Sequence, residues 1–217
     1  MPCIILKFDN NIKKILLSFT PKTGGTSLIK FFKSIGGEIY LHNENNKIIG
    51  LLKCPSQHFH YKILEEIYNI EKFDFSFCII RNPIEKLKSD YLWSYRNTKN
   101  INKVLKFDNW YNQMIVGYTK NNFFFDNHIR PQHEFFGPKL SKIYKMENGL
   151  EHIIKDVFNN INLKINYKEK NSFIPKENSS ENFQLKIQKK DIKISAETIN
   201  SIQNIYKEDF KIWESIR

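Results

Sequence analysis

Lys14-Ile15-Leu16-Leu17-Ser18-Phe19-Thr20-Pro21-Lys22-Thr23-Gly24-Gly25-Thr26-Ser27-Leu28-Ile29-Lys30-Phe31-Phe32 is the stretch from which the architecture is read. Lys14 to Phe19 is a short apolar run that stops at a Pro/Gly cluster, the pattern of a buried strand. Leu28 to Phe32 reads as helix, and Gly36-Gly37 would end it. The order is strand, Gly-rich loop, helix.

A second unit repeats that order. Phe73 to Ile80 is aromatic and β-branched, hence a strand. It runs into Arg81-Asn82-Pro83, where Asn82 suits an N-cap and Pro83 the first helical position, so a helix reaching about Arg96 is expected. Helical spacing recurs at Ile63, Leu64, Ile67 and Tyr68, with Ser56 a possible start. It recurs again at Trp110, Met114, Ile115 and Tyr118, and at Leu150, Ile153, Ile154 and Val157. Lys142 to Lys145 fits a short strand. Residues 159–194, rich in Asn, Lys and Ser, read as irregular. Ser195 caps a last helix carrying Ile199, Ile202, Ile205, Tyr206, Phe210 and Trp213. Alternating strands and helices predict an α/β fold of three layers: a mostly parallel central sheet with helices on both faces. Ligands in such sheets sit at the carboxyl ends of the strands, where both motif-bearing loops emerge.

With 217 residues the chain suits a single domain and buries enough surface to need no disulfide scaffold or structural metal. Three cysteines fit a reducing compartment. No run of 18 apolar residues predicts a membrane span, and Met1 to Phe19 lacks the order of a signal peptide. A cytoplasmic protein is expected. The formal charge of +11 favours anionic partners, although only four of the basic residues are Arg and the Lys, Asn and Ile richness also fits coding bias.

Gly24-Gly25 between strand and helix lets the backbone approach a ligand closely. Successive N–H groups and a helix N-terminus favour an anion there. Lys22 adds charge, and Thr23, Thr26 and Ser27 add hydroxyls. A Walker A loop places its Lys after the glycines; here Lys precedes them, which weakens any reading as an ATP/Mg²⁺ enzyme.

Pro21-Lys22-Thr23-Gly24-Gly25-Thr26-Ser27 resembles the loop of the sulfotransferases that use 3′-phosphoadenosine-5′-phosphosulfate (PAPS). The resemblance implies that this loop binds the 5′-phosphosulfate and that Lys22 stabilises charge on the leaving phosphate. It also implies a P-loop-like sulfotransferase fold. The family's second signature, a strand ending in Arg-(Asn/Asp)-Pro with a Ser eight residues after the Arg, is matched by Arg81-Asn82-Pro83 and Ser89. By resemblance, Arg81 and Ser89 hold the 3′-phosphate; Arg can grip a phosphate with two N–H groups at once. Lys86 stands where many relatives carry a second Arg. Lys170-Asn171-Ser172 resembles a loop that closes over the nucleotide. Asn127-His128-Ile129-Arg130-Pro131-Gln132 resembles a segment of carbohydrate sulfotransferases.

Transfer to a hydroxyl needs a base, usually His. By similarity to uronyl 2-O-sulfotransferases, the base is His60, with His58 close behind. A metal held by His58, His60 and Cys54 is the weaker alternative, and no metal is expected. Arg130, Gln132 and His133 are candidates for acceptor binding, though Arg130 fits an ion pair with Glu134 equally well; His128, like His133, reads as structural or acceptor-binding rather than as the base. The function expected is sulfuryl transfer from PAPS to a carbohydrate hydroxyl, leaving adenosine 3′,5′-bisphosphate (PAP). Two rivals are a P-loop nucleotide kinase and a basic nucleic-acid binder; Lys is spread through the chain rather than clustered, which disfavours the second.

Overall fold

The computed structural model describes residues 2–8, 11–42, 51–163 and 187–216. Among the described residues, five strands form one sheet in the order β3-β1-β2-β4-β5: β1 (Cys3–Phe8), β2 (Asn11–Ser18), β3 (Glu38–Tyr40), β4 (Phe75–Ile80) and β5 (Lys142–Lys145). Seven α-helices among the described residues accompany it: α1 (Gly25–Ser34), α2 (Tyr61–Ile67), α3 (Pro83–Ser94), α4 (Phe107–Lys120), α5 (Leu150–Asn160), α6 (Ala196–Ile205) and α7 (Lys207–Ser215). This is the α/β class expected. The sheet is mixed, however: β2, β4 and β5 run parallel, while β1 pairs antiparallel with both β2 and β3.

Every residue of β4 is buried, as a central strand covered on both faces requires. Alternation splits its side chains between two layers. Phe75, Phe77 and Ile79 join Ile15 and Leu17 of β2 against Leu28, Phe31 and Phe32 of α1 and Ile153 and Val157 of α5. On the other face Leu16 meets Tyr61 and Leu64 of α2, while Cys78 and Ile80 meet Phe135, with Trp213 of α7 packed against them. Each fully buried side chain of this size stabilises the fold by about 1.5–3 kcal/mol. A separate cluster around Leu87, Tyr91, Trp110, Tyr111, Ile202 and Tyr206 joins α3, α4 and α6.

Ser18 pairs with Cys78 in parallel register, so the chain leaves β2 and β4 at the same edge of the sheet. That register brings the Gly-rich loop and Arg81 together. Asn82 caps α3 as expected: its Oδ1 accepts from the N–H of Ile84 (3.0 Å) and Glu85 (3.2 Å), with Pro83 next. Ser195 caps α6 through the Thr198 N–H. The last helix is broken at Tyr206, whose buried hydroxyl donates to the Ile129 carbonyl at 2.7 Å. Among the described residues, no helix is long and apolar enough to cross a membrane.

Candidate active site

The loop after β2 is built from its own side chains. The Thr23 hydroxyl donates to the Thr20 carbonyl at 2.7 Å, closing the turn, so it serves the loop's shape. Gly24 sits at φ 84°, a left-handed conformation that glycine adopts without cost. Lys22 is left-handed too, at φ 65°, and carries the strain of a side chain there. Gly25 opens α1. Among the described residues no side chain caps that helix and no acidic residue stands in its first turn, which leaves its positive end toward the loop.

Positive charge gathers around this end. Lys22 Nζ lies 4.2 Å from the centre of the Trp93 ring, and the Arg96 guanidinium lies 3.9 Å from the same ring. Burial pulls the Lys22 ammonium down to about 8; Asp90 opposes this, and Lys189, Arg96 and Arg81 add to it. Arg81 Nη1 donates to the Lys22 carbonyl at 3.4 Å. Burial lowers the Arg81 guanidinium as well. Lys189, in a short 3₁₀ turn before α6, is brought down to about 8 by burial and then by Arg81. Its Nζ stands 3.8 Å from Glu85. Four basic groups thus share a partly desolvated corner, and acids beside it are already engaged. Asp90 is bound to Lys86 and His128, and Glu85 is also bound to Lys88 at 3.2 Å. An anion with more than one negative charge relieves that crowding.

Arg81 is held in place from behind. The Gln132 amide accepts from the Arg81 N–H at 2.9 Å and donates to the Arg81 carbonyl at 2.8 Å. Asp209 of α7 accepts from the N–H of Gln132 (2.7 Å) and of His133 (2.9 Å), and bonds His133 Nδ1 at 2.8 Å. That last bond raises the His133 imidazole above its ordinary value. Glu147 accepts from the Asn82 N–H (3.0 Å) and from Trp213 Nε1 (3.1 Å), tying the start of α3 to α7. Gln132 and His133 therefore brace the scaffold around Arg81. Arg130 is 4% exposed; it pairs with Glu134 and also donates to Asn127 Oδ1 and the Asn122 carbonyl. The structure thus favours the ion pair over an acceptor contact. Lys86, at 1% exposure, is buried against Asp90 and the His128 carbonyl, away from the cationic corner. Ser89 is half-buried on α3, next to Asp90. Lys170, Asn171 and Ser172 lie outside the described residues.

The two histidines expected to supply the base separate. The His58 ring lies 5.6 Å from that of Phe19, which leads into the loop, and 4.9 Å from that of His128. The His60 ring stacks on Phe123 at 6.0 Å, on the side of Arg130 and Glu134. Cys54 bonds the Asn127 amide at 3.3 Å. Among the described residues no group of three or more His, Cys, Asp or Glu is placed to hold a metal ion. Sequence reasoning missed Lys189, Trp93 and Asp90. Asp90 had a signal in its (i, i+4) spacing from Lys86; Lys189 sits in a Lys-rich segment where nothing marks one lysine from another.

A family model described as the sulfotransferase family matches residues 8–214. No curated protein and no solved structure matches the chain. The match spans nearly the whole chain, including both loops at the carboxyl edge of the sheet, and the chain belongs to the sulfotransferase family.

Proposed function

We propose that the chain transfers the sulfuryl group of PAPS to a hydroxyl of a carbohydrate acceptor, by in-line displacement with a histidine base. The observation that carries this reading is the corner where Lys22, Arg81 and Lys189 meet at the uncapped end of α1. Its charge and donors fit a nucleotide with phosphates at two positions. The loop 21–27 would hold the 5′-phosphosulfate end, and Arg81 with Ser89 the 3′-phosphate. When bound, PAPS supplies an activated sulfuryl group on a good leaving phosphate.

The chain's own residues do the rest. Lys22 places a cation, fixed over Trp93, where negative charge develops, and needs no rearrangement to do so. Gln132, Asp209 and Glu147 keep Arg81 and Asn82 at the sheet edge. An imidazole removes the acceptor proton; His58 and His60 are the candidates that the family resemblance names, and of these His58 borders the loop. The buried thiols Cys54 and Cys78 suit a reducing compartment, which supports a cytoplasmic setting.

Thermal stabilisation by adenosine 3′,5′-bisphosphate, with ADP and AMP beside it, tests the reading. At ~100 times its dissociation constant a ligand adds roughly 2.7 kcal/mol. Stabilisation by the bisphosphate alone, abolished in Arg81→Ala, is expected. An equal response to ADP would return the site to a kinase. Transfer of labelled sulfate to phenols or peptides but not to glycans would overturn the carbohydrate acceptor.

A further inference from the structure

Beside the His58 ring lies a buried acid–imidazole pair with no part in the function as stated so far. Asp90 of α3 has no exposed surface. Its Oδ2 faces Lys86 Nζ at 3.0 Å, and its Oδ1 faces His128 Nδ1 at 2.7 Å. Burial pushes this carboxyl up, but Lys86 and His128 outweigh burial and hold it below its ordinary value. It is therefore ionised at neutral pH and can only accept hydrogen bonds. His128 Nδ1 is therefore the donor in their bond, which leaves Nε2 as the ring nitrogen turned away from the carboxylate.

The main chain of His128 is fixed as firmly. Its carbonyl accepts from Lys86 Nζ. Three residues of positive φ precede it: Phe125 and Asp126 at 53° and Asn127 at 64°. None is glycine, and such a run persists only where its surroundings over-determine it. Here Asn127 is locked at both ends of its amide. Nδ2 donates to the His58 carbonyl at 2.9 Å, and Oδ1 accepts from Arg130 Nε at 3.1 Å. The strained turn delivers the His128 ring edge-to-face against His58, between α3 and the ring that borders the loop.

The other two imidazoles lack this support. Among the described residues the His58 ring bonds a carbonyl, that of Asp126 at 3.0 Å, and burial followed by the His128 ring drives it well below its ordinary value. His60 is lowered by burial and then by Arg130, and its buried Nδ1 has no hydrogen-bond partner among the described residues. A base works when its conjugate acid is stabilised as the proton arrives. Of His58, His60 and His128, it is His128 whose ring bonds a carboxylate; the other such pair among the described residues, His133 with Asp209, belongs to the brace behind Arg81.

We propose that His128, positioned by Asp90, takes the acceptor's proton. This rests on the sulfuryl-transfer reading. The proton passes to Nε2, and the acceptor oxygen keeps its electron pair and bonds to sulfur. The bond from sulfur to the phosphate oxygen breaks with its pair on the departing bisphosphate.

Three readouts on the full chain test the proposal: bisphosphate release from PAPS with water as acceptor, bisphosphate affinity by calorimetry, and nitrogen-15 histidine spectra. His128→Gln should slow release by roughly 100-fold or more with affinity unchanged. His58→Gln and His60→Gln should slow it far less. The His128 spectrum should show the proton on Nδ1, with a downfield resonance that Asp90→Asn removes. A proton on Nε2 would overturn the proposal whether or not release is measurable. So would wild-type release in His128→Gln alongside loss in His58→Gln or His60→Gln. Failure of the wild-type chain to bind the bisphosphate would overturn the underlying reading, and the proposal with it.

Discussion

Gly25 answers to a ring before it answers to a ligand. A Cβ built there would lie 2.0 Å from the Phe19 ring, so Gly25→Ala must push out a buried aromatic that also borders His58. We expect a loss of about 1–3 kcal/mol in urea unfolding, typical of overpacking. The sequence marked both glycines for phosphate approach; the second is required by packing, which spacing alone does not reveal. Lys22 is the other residue whose setting has a measurable consequence. With its ammonium at about 8, an anion must bind the charged form, so bisphosphate affinity should weaken as pH rises through that value. Binding near pH 8 should draw a proton from the buffer, seen as a calorimetric heat that varies with the buffer's ionisation enthalpy. In Lys22→Met that uptake should shrink to what Lys189 supplies.

On the scale of elements, α3 contains its own buried ion pair, Lys86 to Asp90, with His128 as third member. Asp90→Asn leaves the ammonium buried without a counter-charge and should destabilise the fold by about 3–5 kcal/mol. Lys86→Met with Asp90→Leu should recover most of that loss, since both charges then disappear together. Unfolding midpoints of the single and double variants decide this. The capped start of α3 was legible because Asn82 and Pro83 state it in local chemistry. β1 was not: Cys3–Phe8 is a partly exposed strand held between β2 and β3, and pairing partners leave no local mark. The break at Tyr206 was equally hidden, at a residue whose hydroxyl bonds the sequence-distant Ile129 carbonyl. The site divides in the same way. Lys22 and Arg81 stand at motif positions and the Arg130–Glu134 pair is local, whereas the setting of Gln132 and His133 comes from Asp209 across the fold.

Across the whole molecule, two histidines contribute to acid sensitivity with opposite signs. His58 is held neutral when folded but takes up a proton when unfolded, so it withdraws stability as pH falls below its ordinary value near 6.5. His133 is raised by Asp209, so its contribution is present at low pH and is lost as pH rises through its folded value. His58→Gln should therefore flatten the fall in melting temperature between about pH 7 and pH 5, and His133→Gln should steepen it.

The antiparallel pairing of β1 with β2 also sets an order of events in time. Phe8 pairs with Asn11, three positions along the chain, and contacts that close over so few residues form in microseconds. Ile15 meets Phe75 only after the long intervening chain is ordered, and such distant pairings are slow. The strand that leads into the loop can therefore be laid down early, while the segment carrying Arg81 docks onto it later. Refolding followed by isotope-labelled hairpin amides should run ahead of refolding followed by bisphosphate binding, so that nucleotide recognition appears as a late step of folding.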